Sequence, residues 1–205
     1  MAPRLYLMRH GQTIMNRRKI IQGWFDSPLT ELGRAQAVLA RDHLDALGVT
    51  FDHAYSSSLE RACDTCEIVG RGMPYERCKD LRELNFGAIE GCTQELLLPG
   101  SHADYGDYAV QFGGESMDQV GERMGRCLTQ VMHRPGHESV LAVGHGACVL
   151  AFNKLWLDVS EVKVDHITRN CTVYTFEFDA ATDTFRCVDV FEPDDSHLVG
   201  GGRVD

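Results

Sequence analysis

With 205 residues, 43% of them apolar and 24% charged, the chain can bury a full hydrophobic core in one domain, and these proportions rule against disorder and against a membrane class. A formal charge of -10 argues against general affinity for nucleic acid or anionic lipid, because such a surface repels both. No apolar run approaches the ~18 residues of a membrane helix, and "MAPRLYLMRHG" has a polar break before any signal-peptide core, so a soluble cytoplasmic protein is expected.

Residues Arg4 to Met8 read as a short strand whose unbroken apolar character implies burial on both faces, as in a parallel sheet. A loop follows to about Leu29. Within it Arg17, Arg18 and Lys19 either concentrate positive charge beside Arg9 or form a solvated turn. Thr30 is placed to N-cap a helix from Glu31 to Leu47, with Leu32, Ala35, Leu39 and Leu47 as its apolar or small positions and Gly48 to end it. Phe51 to Ser57 is the next strand, and another helix runs through "LERACDTCEIV", with Ser57 and Ser58 read as its caps. Cys63 and Cys66 share a face of that helix and are read as core packing. All eight cysteines are expected as reduced thiols rather than a disulfide frame.

"YERCKDLREL" is a weaker extended segment and "NFGAIEGC" a glycine-bearing loop. From Thr93 to Gly114 the pattern decays, interrupted by Pro99, Gly100, Gly106, Gly113 and Gly114, with Tyr105, Tyr108 and Phe112 interspersed. The stretch is either a small cap over a site or a surface helix and linker. Met117, Val120, Met124, Cys127, Leu128 and Val131 then recur at helical spacing. His133 and His137 have the spacing of a metal pair on a helix, but Pro135 and Gly136 between them break any helix. "SVLAVGHG" is a second buried strand that ends on a histidine, and the helix "ACVLAFNKLWL" follows it. "CTVYTFEFD" and "TFRCVDVFE" have period two and suit an antiparallel edge hairpin, which offers pairing across a homodimer. One domain is expected over 1–205, with a cap insert at about 92–115 and a frayed tail at about 193–205. The alternation of strands and helices predicts an α/β fold.

In open α/β sheets ligands gather at the carboxyl ends of the strands. There the predicted strands deliver Arg9 and His10 from the first, Ser57, Ser58 and Arg61 from the second, and His145 from the fourth, with Glu83 in the loop between them. Two imidazoles, two guanidiniums and a carboxylate on one rim suit a phosphate monoester. Arginine keeps its charge and presents a planar fork to phosphate oxygens, and neutral imidazole, with an unperturbed pKa of about 6.5, is a nucleophile near neutral pH. A carboxylic acid opposite His10 would protonate the leaving alkoxide. Gly11 is read as a close backbone approach to the phosphate, with Thr13 near enough to donate its hydroxyl.

"RHGQT" (Arg9 to Thr13), Asn16, Gln22 with Gly23, "PLTELG", "SSLERA", "LRELNFGAIEG" and "GHG" occur in an order, from Leu5 to about Asp179, that resembles the histidine phosphatase superfamily, the phosphoglycerate-mutase-like proteins. The resemblance implies a three-layer α/β/α sandwich with a mostly parallel sheet and an antiparallel edge. It implies His10 as nucleophile, Arg9, Arg61 and His145 as phosphoryl ligands and Glu83 as proton donor. Asn16, Gln22, Gly23 and Gly146 would line the substrate pocket, beside Gly11 and Thr13. No metal site and no bound cofactor are expected, and the partner is a small phosphorylated substrate.

The leading expectation is a metal-independent phosphomonoester phosphatase. Cofactor-dependent phosphoglycerate mutases share the phosphohistidine core, but usually carry Tyr-Gly after the acid, where Asn85 and Phe86 stand here, and a longer segment before the second histidine. A non-catalytic binding protein of the same fold would be expected to lack one of these groups. Selectivity is expected from Trp24, Phe25 and the aromatic cap at Tyr105 to Phe112.

Overall fold

The computed structural model describes residues 2–98 and 105–198. The middle of the expected cap, 99–104, and the end of the expected tail, 199–205, lie outside the described residues. Six strands form one sheet: β1 (Arg4–Arg9), β2 (His53–Ser57), β3 (Glu76–Cys78), β4 (Ser139–Gly144), β5 (Val173–Asp179) and β6 (Thr184–Phe191). Their order is β3-β2-β4-β1-β5-β6, with the first four parallel and β5 and β6 antiparallel at one edge. The helices are α1 (Ile14–Arg17), α2 (Glu31–Ala46), α3 (Glu60–Val69), α4 (Gln94–Leu97), α5 (Met117–Met132) and α6 (Gly146–Leu155). Among the described residues no helix is long and apolar enough to cross a membrane.

Two hydrophobic clusters lie on opposite faces of the sheet. Leu5 and Leu7 of β1 join Val140 and Ala142 of β4 beneath α5 and α6, whereas Tyr6, Met8, Leu141 and Val143 face Ala37, Ala40 and Leu44 of α2 and Ala62, Cys66 and Val69 of α3. A central strand between two helical layers has no solvated face, which is why β1 and β4 read as continuous apolar runs. The three-layer sandwich follows. On the α6 side, Phe152 meets the rings of Phe176 and Phe185 edge to face, at 5.3 and 5.1 Å, and anchors the antiparallel hairpin.

Helix α2 starts as its cap predicts, the Gly33 N–H donating to Thr30 Oγ1 at 3.0 Å, and Gly48 follows it at φ +69°. Its buried stripe is rotated from the expected one. Gly33, Gln36, Ala37, Ala40 and Leu44 face inward, and Leu47 is 62% exposed. Close approach decides this: a Cβ on Gly33 would stand 2.1 Å from the Gln12 carbonyl oxygen, so the helix is seated by its small residues and Leu44 rather than by Leu32, Leu39 and Leu47. In α5 the expected face is buried, except that Cys127 is only partly so, and Gly121 and Gly125 add close contacts to Ala151 and Leu155 of α6. Strand β3 is shorter than the expected extended segment, because the chain turns through a 3-10 turn at Lys79–Leu81 into the loop that carries Glu83. Cys63 and Cys66 are buried in α3.

Candidate active site

The register of the parallel strands builds the rim. Arg9 pairs with Gly144 and Val143 with Ser56, so β1, β4 and β2 end on a common line and His10, His145 and Ser57 come together. Arg61, in the first turn of α3 and 1% exposed, ties this line to the loop before α2. Its Nε–H is shared between His10 Nε2 at 3.3 Å and His145 Nδ1 at 3.1 Å. Its Nη1 donates to the Phe25 carbonyl at 2.7 Å and to Asp26 Oδ1 at 3.1 Å, and Nη2 to the Gly23 carbonyl at 2.8 Å.

These bonds assign both tautomers. His10 Nδ1 lies 2.7 Å from the Gly11 carbonyl, which can only accept, so Nδ1 carries the proton and Nε2 presents its lone pair. His145 accepts from Arg61 at Nδ1, so its Nε2–H donates to Ser57 Oγ at 2.8 Å. Burial, and then the charges of Arg61 and Arg9, hold the His10 imidazole well below its ordinary pKa; burial, and then chiefly Arg61, does the same for His145.

Arg9 donates from Nη1 to the Thr168 carbonyl, while its buried Nε has no partner among the described residues. An anion would satisfy that donor. Gly146 makes room for it, since a Cβ there would stand 3.3 Å from Arg9 Cζ. Glu83 sits at the N-terminus of α6, where its carboxylate accepts the N–H groups of Leu84 at 2.9 Å, Cys148 at 3.0 Å and Ala147 at 3.2 Å. Arg9, His10, Arg61, Glu83, Asn16, Gln22, Gly23 and Gly146 line one pocket of ≈ 230 Å³. Ile21, Phe86, Gln94, Leu98, Tyr105, Ala147 and Ile167 complete its wall.

Residues 5–190 match, as a family, the histidine phosphatase superfamily (branch 1). The chain belongs to that superfamily. It is 35% identical over 158 residues to a probable phosphoglycerate mutase GpmB of Yersinia pestis, covering 72% of this chain and 73% of that one. Bacillus stearothermophilus YhfR superposes with a TM-score of 0.75 at 32% identity, over 91% of this chain and 96% of the other. A mycobacterial glucosyl-3-phosphoglycerate phosphatase solved with VO3 superposes with a TM-score of 0.73 at 27% identity, over 94% and 100% of the two chains.

Several expectations for the site change in three dimensions. Gly11 and Thr13 stand behind the pocket rather than in its lining. A Cβ on Gly11 would lie 2.4 Å from the Gly33 carbonyl oxygen, and the Gly11 N–H donates to Thr65 Oγ1 at 3.1 Å, so helix packing explains this glycine. Thr13 is fully buried, with its hydroxyl 3.1 Å from Asn16 Oδ1 and 3.0 Å from Gln22 Oε1, and it braces two pocket amides instead of reaching the pocket. His145 also lies beneath the lining, fully buried, in contact with Arg61 and with the His10 ring at a centroid distance of 5.1 Å. Ser57 is a partner of that imidazole, and Ser58 Oγ accepts from Arg82 Nε at 2.7 Å, so neither is spent on capping α3 in the way expected. Of the expected selectivity residues only Tyr105 lines the pocket; Tyr108 and Phe112 pack on each other at 5.5 Å and against the core. Trp24 stands outside the lining, its Nε1–H donating to the Glu83 carbonyl at 3.0 Å beneath the Arg82 guanidinium. Arg17, Arg18 and Lys19 are exposed, and Lys19 pairs with Glu95 at 2.6 Å. His133 and His137 are engaged separately, by Asp183 at 2.6 Å and by the Tyr55 hydroxyl at 2.7 Å.

Sequence reasoning missed Glu90. Its carboxylate accepts the N–H groups of Trp24, Phe25 and Phe86 at 2.9, 3.1 and 3.0 Å and folds the pocket loop around itself. Gly23 is required there: its φ is +53° and a Cβ would stand 2.0 Å from Glu90 Oε1. The glutamate lay inside "LRELNFGAIEG", but no spacing rule marks a carboxylate two of whose backbone donors, Trp24 and Phe25, lie 66 and 65 residues away in sequence.

The depressed imidazoles have a consequence for stability. Unfolded, each takes up a proton near its ordinary pKa of 6.5, while the folded site keeps both neutral. As pH falls below that value the unfolded chain binds more protons, so the native state loses up to about 1.4 kcal/mol per pH unit for each ring. The urea midpoint is therefore expected to drop between neutral pH and pH ~5.5, and to drop less in His145→Gln. Equal drops in the two proteins would show that His145 is not held neutral.

Proposed function

We propose that this protein is a metal-independent phosphatase that hydrolyses the phosphate monoester of a small metabolite through a phosphohistidine on His10. The observation that carries the reading is the tautomer of His10: Nδ1–H is spent on its own backbone and Nε2 faces Arg61 at the pocket floor. That lone pair attacks phosphorus, the ester P–O bond breaks, and a proton held by Glu83 passes to the departing alkoxide. Water then attacks phosphorus while the Glu83 carboxylate takes a proton from it, the N–P bond breaks with its electron pair returning to His10 Nε2, and inorganic phosphate leaves. Arg9 and Arg61 supply the positive charge that the equatorial oxygens need, and each such preorganised donor typically contributes about 3 kcal/mol to the transition state. A dianion at this rim would offset the guanidinium fields that keep His145 neutral, and so favour a protonated His145 as a further donor.

The wall beyond the phosphoryl end supports hydrolysis over isomerisation. Among the described lining residues the arginines are Arg9 and Arg61, and the remainder of the wall is apolar, aromatic or neutral amide apart from Glu83. A phosphoglycerate presents a carboxylate to that wall, where among the described residues no cation besides Arg9 and Arg61 meets it. The identity to a probable phosphoglycerate mutase favours isomerisation as the second reading. Pure protein incubated with phenyl phosphate, and separately with phosphoglycerate plus a bisphosphate primer, is expected to release inorganic phosphate from the first and to isomerise the second negligibly. Fast isomerisation with little phosphate release would reverse the assignment.

A further inference from the structure

Arg123 projects from α5 into the loop that carries Glu83, and every one of its five N–H donors is engaged. Nε donates to Glu115 Oε1 at 2.9 Å. Nη1 donates to the carbonyls of Asp80 at 2.6 Å and Arg82 at 2.9 Å, and Nη2 donates to the carbonyl of Glu83 itself at 2.9 Å and to Glu115 Oε2 at 3.0 Å. Glu115 closes the loop from the other side: its Oε2 accepts the Asn85 N–H at 3.0 Å, and its own N–H donates to the Asn85 carbonyl at 2.9 Å. The chain from Asp80 to Glu83 is thus wrapped on one guanidinium, with Asn85 held by Glu115, in a stretch that otherwise holds only a 3-10 turn at Lys79–Leu81 and no long element. A planar, always charged fork is the side chain that can hold three carbonyls in one fixed arrangement.

We infer that Arg123, paired with Glu115, is the positioning residue for the Glu83 carboxyl group. This rests on the reading of Glu83 as the proton donor. Arg123 is absent from the pocket lining, so its side chain reaches the reaction through the placement of Glu83 and through its charge, which also bears on His145 and which a lysine would keep. The phosphoryl end is built on β1, α3 and the start of α6, where Arg61 bonds His10 and His145, and among the described residues none of these three side chains bonds Arg123 or Glu115.

Loosening an acid affects only a leaving group that needs its proton. The test therefore compares two esters on the full-length protein: phenyl phosphate, whose phenolate needs protonation, and dinitrophenyl phosphate, whose leaving group does not. In Arg123→Lys, which keeps the charge but loses the fork, kcat/KM for phenyl phosphate is expected to fall roughly ten- to hundredfold, the scale of a displaced catalytic group. For dinitrophenyl phosphate, and for the inhibition constant of inorganic phosphate, the change is expected to stay under about threefold. Glu115→Gln, which keeps an acceptor for the Asn85 N–H, is expected to show the same preference to a smaller degree and serves if the Arg123 variant does not fold. Parallel losses on both esters, or unchanged rates on both, would overturn the inference. Failure of the wild-type protein to hydrolyse either ester would instead overturn the phosphatase reading beneath it.

Discussion

Replacing His10 by alanine is expected to lower kcat/KM for phosphate monoesters on the order of 10⁴-fold or more, the scale seen when a covalent nucleophile is removed. The variant should still fold. Among the described residues the His10 side chain bonds only to its neighbour's carbonyl and to Arg61 Nε, and Arg61 keeps His145 as a partner when His10 is gone. The ring is 2% exposed, and it is held neutral by burial and by two guanidiniums, so its removal takes away no native charge. Cooperative thermal unfolding should persist while turnover is lost. Rapid quenching of the wild-type protein with labelled substrate should trap an acid-labile, base-stable phosphoryl group on His10, and none in His10→Ala. Hydrolysis at the wild-type rate by the variant, or label on another side chain, would refute the nucleophile.

The second large effect is expected at Arg61. Arg61→Met should lower kcat/KM by roughly 10² to 10³-fold, since a charge aimed at the transferring phosphoryl group disappears. It should also destabilise the protein, because the carbonyls of Gly23 and Phe25 lose their donor, at about 1–3 kcal/mol for each one left unsatisfied. A third consequence has a definite sign. Arg61 lowers the pKa of both imidazoles, so the variant should move both upward, toward the ordinary value. Ring-proton titration by NMR would read this. Arg61→Lys should rescue little, because one ammonium cannot reach two ring nitrogens, two carbonyls and Asp26 from a single point. Wild-type kcat/KM in Arg61→Lys would show that charge alone is sufficient and that the fork geometry is immaterial.

Glu90 and Arg123 show a common logic in the way this site is held. Each is a charged side chain whose partners are mostly backbone groups of the loops around the pocket. The rim itself rests on strand ends, which parallel pairing makes rigid, whereas Trp24, Phe25 and the Glu83 loop have no sheet to hold them. Fixed carboxylate and guanidinium anchors supply that rigidity instead.

By itself the sequence determined the layered α/β architecture, because burial on both faces leaves short unbroken apolar runs such as Leu5 to Met8 and Val140 to Val143, and these alternate with segments of helical period. It also carried the residue types of the rim: His10, Arg9, Arg61 and Glu83 line one pocket in the structure, and the types are those that the proposed phosphoryl chemistry needs. Only the tertiary structure decided which neighbours of those residues face the pocket. Thr13 turns inward to Asn16 and Gln22, Gly11 abuts Gly33, His145 sits under Arg61, and α2 buries Gly33, Ala37, Ala40 and Leu44 rather than Leu32, Leu39 and Leu47. Local periodicity carries the spacing of side chains along an element, but the direction an element faces, and the partner a polar group finds, depend on steric approach between segments far apart in the chain.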